Sequence, residues 1–469
     1  MSVQTARQSA QPTQALAGFI RASQVSDLPH KVAHEAKRAI LNWMGCAIGA
    51  SEHPTINNAL AALLPFCGPQ QATILGRRER TDILHAALMN GMSSHTFDFD
   101  DTHLKTVIHP AGPVASAILA LAEYMPVTGP QFLHAFALGV ETECRIGNAV
   151  YPSHYDAGWH ITGTAGVFGS AAAAGKLMGL SETQLVWALG MAATQASGLR
   201  EMFGSMSKPL HPGMAAKNGL YAALLAGKNF TSATQGIEGR RGFANVLATA
   251  RDYSQITQGL GETWELLLNT YKPFACGIVI HPVIDGCIQL RNEHRMDVNA
   301  VESVEIRVHP LVLELTGKTR PQVGLEGKFS VYHSAAVALI DGAAGEAQYS
   351  DARVVDPAVV TLRGKVKPTV DASVREAEAW VRIRLTDGRV LEKHVVDAIG
   401  SVERPMSDPD LEAKFRGLCE PILDRDCIDA LIEQCWSIES MPAMAPLAHM
   451  SVPRDAEAEI DGMPAAELG

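Results

Sequence analysis

Charge is what this chain has little of. Only 19% of its 469 residues are Asp, Glu, Lys or Arg, against about a quarter in ordinary globular proteins. What charge there is leans acidic, with a net −11 and a pI near 5.9. That balance excludes the electrostatic footprint of a nucleic-acid-binding protein or of a partner for anionic membranes. An anionic ligand would have to meet cations gathered locally in its site. The eight cysteines form no CxxC pair and no zinc-ribbon spacing. Scattered thiols of this kind point to a reducing compartment, and a cytoplasmic location is expected. The opening MSVQTARQSAQPTQ has no apolar core of a secretory leader. The longest uncharged, apolar-leaning run, 161–175, stops at Lys176, short of the ~20 residues of a membrane span. It reads as a buried core helix. Internal repeats, charged blocks and low-complexity linkers are also absent.

What is present is apolar: 47% of residues are hydrophobic, enough for large buried cores, and the length calls for more than one domain. Residues up to about 274 read as successive helices. Val32, Ala36, Ile40, Met44 and Ile48 recur along one face. Ser181 with Gln184 makes a capping box, and Gly129–Pro130 opens another helix. Near residue 300 the period changes. SVEIRVHP alternates like a strand, and Asp387–Gly388 separates two alternating runs as a hairpin turn does. GKFSVYHSAAVALIDGA, between them, looks helical. The sequence therefore predicts a mostly α protein: an all-helical domain from 1–274 and 405–440, with a smaller α+β domain, 275–404, inserted. The remainder, 441–469, lacks periodicity and is expected to be a mobile tail.

Chemistry concentrates in HTFDFDDTHLKTVIHP, 95–110, which holds three aspartates and three histidines. Carboxylates this close repel one another unless a cation or a proton sits among them. Three readings stay open for the stretch alone. It could bind a divalent metal, since carboxylates suit Mg²⁺ and an added histidine suits a transition metal. It could be a metal-free acid–base site, or a polar cap and turn at the surface. An aspartate motif of the isoprenoid-synthase kind is disfavoured, because Leu104 stands where its next aspartate belongs and no downstream metal motif follows.

Other segments add candidates. AGWHITGTAGVFG sets His160 among small residues that permit close approach, although a lone histidine there is more often a satisfied core group. MFGSMSKPLHPGMAAKNG places Lys208 and His211 in a Gly/Ser/Pro loop leading into a helix expected near Gly213, the makings of an anion site. KPFACGIVIHPVIDGC presents His281 where the two domains join. GKFSVYHSAAVAL offers Tyr332.

In this order, the segments DFDDT…HP, GWH-TGTAGVFG, KPLHPG-AA-NG, KPF-CG---HP-ID and KFSVY resemble the MmgE/PrpD family over roughly residues 15–440. The resemblance implies a large helical domain built from both ends of the chain, an inserted lid domain, a homodimer, and catalysis without metal or organic cofactor. It implies proton transfer beside a carboxylate of a small di- or tricarboxylate. The reaction would be a decarboxylation like that of cis-aconitate, with 2-methylcitrate or citrate dehydration and iminodisuccinate-type epimerisation as alternatives. The implied catalytic residues are His109, Lys208, Asp98, His160 and Tyr332, with Thr102, His211 and His281 binding substrate. Two departures stand out. The stretch before His109 is one residue longer than in animal decarboxylases, and Asp100 stands where the dehydratases usually carry asparagine. A helical scaffold without activity is the contrasting reading, and joint retention of Lys208, His109, His160 and Tyr332 argues against it.

Overall fold

The first long helix, α1 (His30–Gly49), follows Pro29, whose extended backbone ends the turn before it. Its Val32, Ala36, Ile40, Met44 and Ile48 are all fully buried, as their spacing requires. α2 (Ile83–Thr96) starts on Asp82, whose carboxylate accepts the N–H groups of Leu84 and His85. α3 (Ala111–Tyr124) and α4 (Gly129–Val150) follow, the latter behind a Thr128–Gln131 capping box with proline in its first turn. α5 (Ile161–Leu177) is the expected core helix, buried throughout 161–175. The predicted Ser181–Gln184 box caps Glu182–Ala193. A computed structural model describes residues 11–454 of this mostly α chain.

α6 (Ser207–Gly227) corrects one expectation: the helix begins at Ser207, not near Gly213, and Pro212 lies inside it. Pro209 falls in the first turn, where no backbone N–H is needed. Pro212 only withholds a bond from the Lys208 carbonyl. Lys208 is therefore a helix residue rather than a loop residue. α6 packs against α5 and α2, and α4 packs against α5. Small residues permit the close approach: a Cβ on Gly219 would stand 2.6 Å from the Val167 carbonyl oxygen, and one on Gly139 2.8 Å from that of Gly169.

Two short strands tie distant chain together. β1 (Asp101–His103) pairs antiparallel with β2 (Asn269–Tyr271), Asp101 opposite Tyr271 and Thr102 opposite Thr270. After this point the chain enters its mixed part. α7 (His281–His294) precedes β3 (Val301–Val308), then come α8 (Val331–Asp341), β4 (Val366–Val370), β5 (Ala379–Leu385) and β6 (Val390–Val395). The sheet order is β4-β3-β5-β6, with β3–β4 parallel and the other pairs antiparallel. Gly388, at φ 87°, closes the β5–β6 hairpin, a conformation that glycine adopts without strain. α7 packs on β5 and β6, and α8 packs on α7.

The chain then returns to the helices through α9 (Asp408–Cys419) and α10 (Arg425–Trp436), which pack against α1. One hydrophobic cluster runs from Leu16 to Tyr271 and resumes at Met406; a second spans Phe274–Leu391 and borrows Cys46, Phe99 and Leu418 from the helical part. The mobile tail expected over 441–469 is corrected for its first part. The Met441 carbonyl accepts from Gly129 N–H, Met444 N–H donates to the Val127 carbonyl, and a short helix, Ala445–His449, follows. Met444, Leu447 and Ala448 are fully buried. A few well-placed apolar side chains anchor a segment too short to show a period. The rest, 455–469, lies outside the described residues. Among those described, no helix is long and apolar enough to cross a membrane.

The α5–α6 contact generates a prediction. Gly219→Ala should lower stability by ~1–3 kcal/mol, because the added methyl meets backbone that cannot yield. Denaturant midpoints of the two chains check it, and equal midpoints would show that the helices are not held this tightly.

Candidate active site

α2 ends at Thr96, and the chain turns sharply through Asp98, whose φ of 51° lies in the left-handed region. Aspartate tolerates that conformation better than most residues. The turn aims the carboxylate at two lysines. Asp98 Oδ1 accepts from Lys208 Nζ at 2.8 Å and from Lys272 Nζ at 2.7 Å, and Lys272 also donates to the Asp98 carbonyl at 2.9 Å. Lys208 comes from the first turn of α6, and Lys272 follows directly on β2. All three side chains are buried. Burial alone would push the Asp98 carboxyl up, but the two ammonium groups outweigh it and hold the carboxyl well below its ordinary range. Burial lowers Lys208, against the pull of Asp98. Two cations against one carboxylate leave this corner positive. Lys208 Nζ also lies 5.2 Å and 5.0 Å from the ring centres of Phe203 and Phe329.

Asp100 serves a second set. Its Oδ2 is 2.7 Å from His95 Nδ1, and its Oδ1 lies 3.1 Å from His109 Nδ1, though not in hydrogen-bond alignment. Burial again would raise this carboxyl, and the two histidines bring it well below the usual range. Burial pushes His95 down to about 4, so near pH 7 its ring is neutral and its Nδ1–H donates to Asp100. The rings form a row: His95 lies 4.6 Å from His109 and 5.6 Å from His160, and His160 Nδ1 is 2.9 Å from His211 Nδ1. Burial holds His160 well below its ordinary value and His211 near 4. One of that pair must therefore donate and the other accept. His160 sits immediately before α5, with its N–H on the Gly198 carbonyl; His109 N–H is held by Thr162 Oγ1 at 3.1 Å.

A narrow cavity of about 40 Å³ lies among Asp98, His109, His160, Lys208, Lys272 and Tyr155, closed by Phe203, Ile278, Val279 and Phe329. Four expected site residues thus meet there, and His211 touches the cavity wall through His160. Three do not line it. Thr102 is buried within β1. Tyr332 lies on α8 against the second hydrophobic cluster, while Phe329, three residues earlier, reaches the cavity instead. His281 lies beside the site in an adjoining cavity, its ring 5.2 Å from Phe274 and near the Cys276 backbone. Of the three aspartates, Asp101 faces elsewhere, accepting from Ala111 N–H and from Asn269 Nδ2 at 2.7 Å. Burial and Asp100 push its carboxyl up to about 7.

Sequence reasoning missed Lys272, His95, Tyr155, Phe203 and Phe329. Two had a visible signal: His95 opens the acidic stretch, and Lys272 opens the KPFACG segment. The surface-turn reading of 95–110 is overturned, since Asp98, Asp100 and Asp101 are all buried. His95, Asp98, Asp100 and His109 offer ligand atoms all within 4.8 Å of one another. The donor types suit a transition metal. Asp98, however, already shares one oxygen between two ammonium groups, so a divalent ion on its other oxygen would sit beside two positive charges.

The helical part and the mixed part each match a family model. The MmgE/PrpD N-terminal domain model covers residues 14–256 and the C-terminal domain model residues 274–438; the chain belongs to the MmgE/PrpD family. It is similar to cis-aconitate decarboxylase of Aspergillus terreus, 27% identical over 454 residues, 90% of this chain and 92% of that protein. It is likewise similar to cis-aconitate decarboxylase of Homo sapiens, 27% identical over 449 residues, 92% of each chain.

The buried imidazoles predict a pH effect. Histidine titrates near 6.5 when unfolded, whereas burial pushes His281 down to about 3. Between those values the unfolded chain binds a proton there that the folded chain does not, so this residue's contribution to stability falls as pH falls. His281→Phe should therefore gain stability relative to wild type from pH 6.5 toward 4, by at most ~1.4 kcal/mol per unit. Denaturant midpoints at several pH values check this, and a constant difference between the two chains would contradict it.

Proposed function

We propose that this chain is a lyase acting on a small tricarboxylate by acid–base chemistry without a cofactor, with decarboxylation of cis-aconitate ahead of dehydration of 2-methylcitrate. The observation that carries the reading is the Lys208–Asp98–Lys272 corner opposite His109. Two buried ammonium groups sharing one carboxylate keep a net positive charge for an incoming carboxylate to meet by charge-assisted hydrogen bonds. The relatives' names and the family's membership support the same substrate class. Homodimerisation and a cytoplasmic location, expected from the resemblance and the thiols, belong to this proposal.

In the decarboxylation, the bond to the departing carboxylate breaks, CO₂ leaves, and the bonding pair remains on an allylic carbon. That pair shifts into a new terminal double bond, and His109 delivers a proton to the far carbon of the allylic system, the one that gives up the original double bond, which yields itaconate. Asp100 beside its Nδ1 would stabilise the imidazolium before transfer and keep the other nitrogen toward the cavity. The neutral His160 is the polar wall along which the ligand is aligned, backed by His95 and His211. At about 40 Å³ the cavity admits little more than water, so substrate entry requires the 277–279 segment and Phe329 to shift away from the helical part. Their return would exclude water and strengthen each charged contact. Tyr332 has no step in this scheme.

A second reading rests on the four clustered ligand atoms of His95, Asp98, Asp100 and His109, which could hold a metal. Exhaustive chelation separates the two. Activity should survive it, whereas loss of activity restored by one divalent ion would establish the metal site.

Purified protein given cis-aconitate, 2-methylcitrate and iminodisuccinate in turn tests the reaction. CO₂ release with itaconate formation is expected; water loss from 2-methylcitrate would favour the dehydratase, and epimerisation alone would sink the lyase reading. His109→Ala and Lys208→Ala should each abolish turnover while folding cooperatively, because Lys272 remains on Asp98 when Lys208 is gone. Retention of more than about a tenth of kcat/KM would put the lost stabilisation below ~1.4 kcal/mol and refute the assigned role.

A further inference from the structure

Beside the Lys208 cavity lies a second and larger one, of about 110 Å³. The two share Val107, Ile278 and Val279 as a common wall. Beyond that wall the lining is formed mainly by apolar side chains, among them Leu104, Pro282, Ala398 and Ile399, and its one charged residue is the exposed Glu376. No lysine or arginine lines it, so a carboxylate placed there would be unpaired and would face an acidic neighbour. An apolar group would meet the surroundings it prefers.

Two further observations mark this cavity as built for a ligand. Val107 holds φ at 54°, a left-handed conformation that is an outlier for a β-branched residue and persists only where the surroundings enforce it. It lies in the stretch before His109, where it faces both cavities. His281 lines the second cavity and is 2% exposed, with the Cys276 backbone as the polar partner of its ring. One ring nitrogen can hold that partner, and the other is left for a group in the cavity.

We infer that the second cavity is an apolar subsite that receives a linear alkyl substituent carried by the polycarboxylate, with Val107 as the partition between substituent and reacting carboxylates. The inference rests on the lyase reading above. The carboxylates stay with Lys208 and Lys272, the substituent passes the Val107 wall, and His281 accepts from a hydroxyl or a water at its root.

Calorimetric titration with saturated, unreactive probes tests it: tricarballylate and its homologues bearing methyl, ethyl and propyl groups. Affinity should rise about 4-fold for each added methylene, the equivalent of ~0.8 kcal/mol. The ratio of propyl to unsubstituted affinity is the quantity compared between chains. In Ala398→Leu, which fills the cavity from its far side, that ratio should collapse toward one. Ala377→Leu, on the exposed rim, repeats the test if the buried variant fails to fold. An affinity flat across the series in the wild type, or an unchanged ratio in a folded cavity-filling variant, overturns the subsite while turnover of cis-aconitate leaves the lyase reading intact. Failure of every probe to bind, together with no turnover of any polycarboxylate, overturns the lyase reading and the subsite with it.

Discussion

One carboxylate oxygen shared by two buried ammonium groups organises this protein. Lys208 and Lys272 both end on Asp98 Oδ1, and both side chains are buried, where a charge without a partner is costly. Removing Asp98 would strand two cations, whereas removing one lysine leaves a paired carboxylate. The pair of lysines is therefore stable only with its aspartate, and together they carry a net positive charge into a low-dielectric corner. For an acidic chain that is otherwise sparing of charge, this local excess is what allows an anion to bind.

The corner also explains the architecture around it. Asp98 leaves the end of α2, Lys208 enters on α6, and Lys272 is delivered by the β1–β2 ladder. The ladder is only three residues long, yet it sets the register between chain segments far apart in sequence. Close packing of α6 on α2 and α5, made possible by glycine and alanine, brings Lys208 within reach. The mixed part then supplies Ile278, Val279 and Phe329 from the opposite side. The cavity thus lies where the two hydrophobic clusters meet, which is where relative movement disturbs the least packing.

Asp100 shows how burial sorts similar groups. It stands between two histidines and stays ionised, while its neighbour Asp101 has an amide and a backbone N–H for partners and is pushed up to about 7. Adjacent aspartates in the chain thus shift in opposite directions, because Asp100 faces His95 and His109 while Asp101 faces Asn269 and the Ala111 N–H. His95, His160 and His211, beside His109, are held neutral by the same burial. Each neutral ring offers one hydrogen-bond donor and one acceptor without adding charge.

Periodicity determined the helices, the strand at 301–308 and the Asp387–Gly388 hairpin, because each depends on contacts within a few residues and on which face is apolar. The motif segments identified the family and pointed to Asp98, His109, His160 and Lys208. Spacing could not show that Lys208 belongs to a helix, since Pro209 and Pro212 mimic a loop and only packing on α2 and α5 holds that turn helical. Nor could it show that the residues 441–454 are anchored, that Thr102 and Tyr332 lie outside the cavity, or that Lys272 shares Asp98. Those outcomes depend on long-range pairing and on which groups lose their water. Desolvation is a property of the folded surroundings, so the tertiary structure alone decided which charges are buried together.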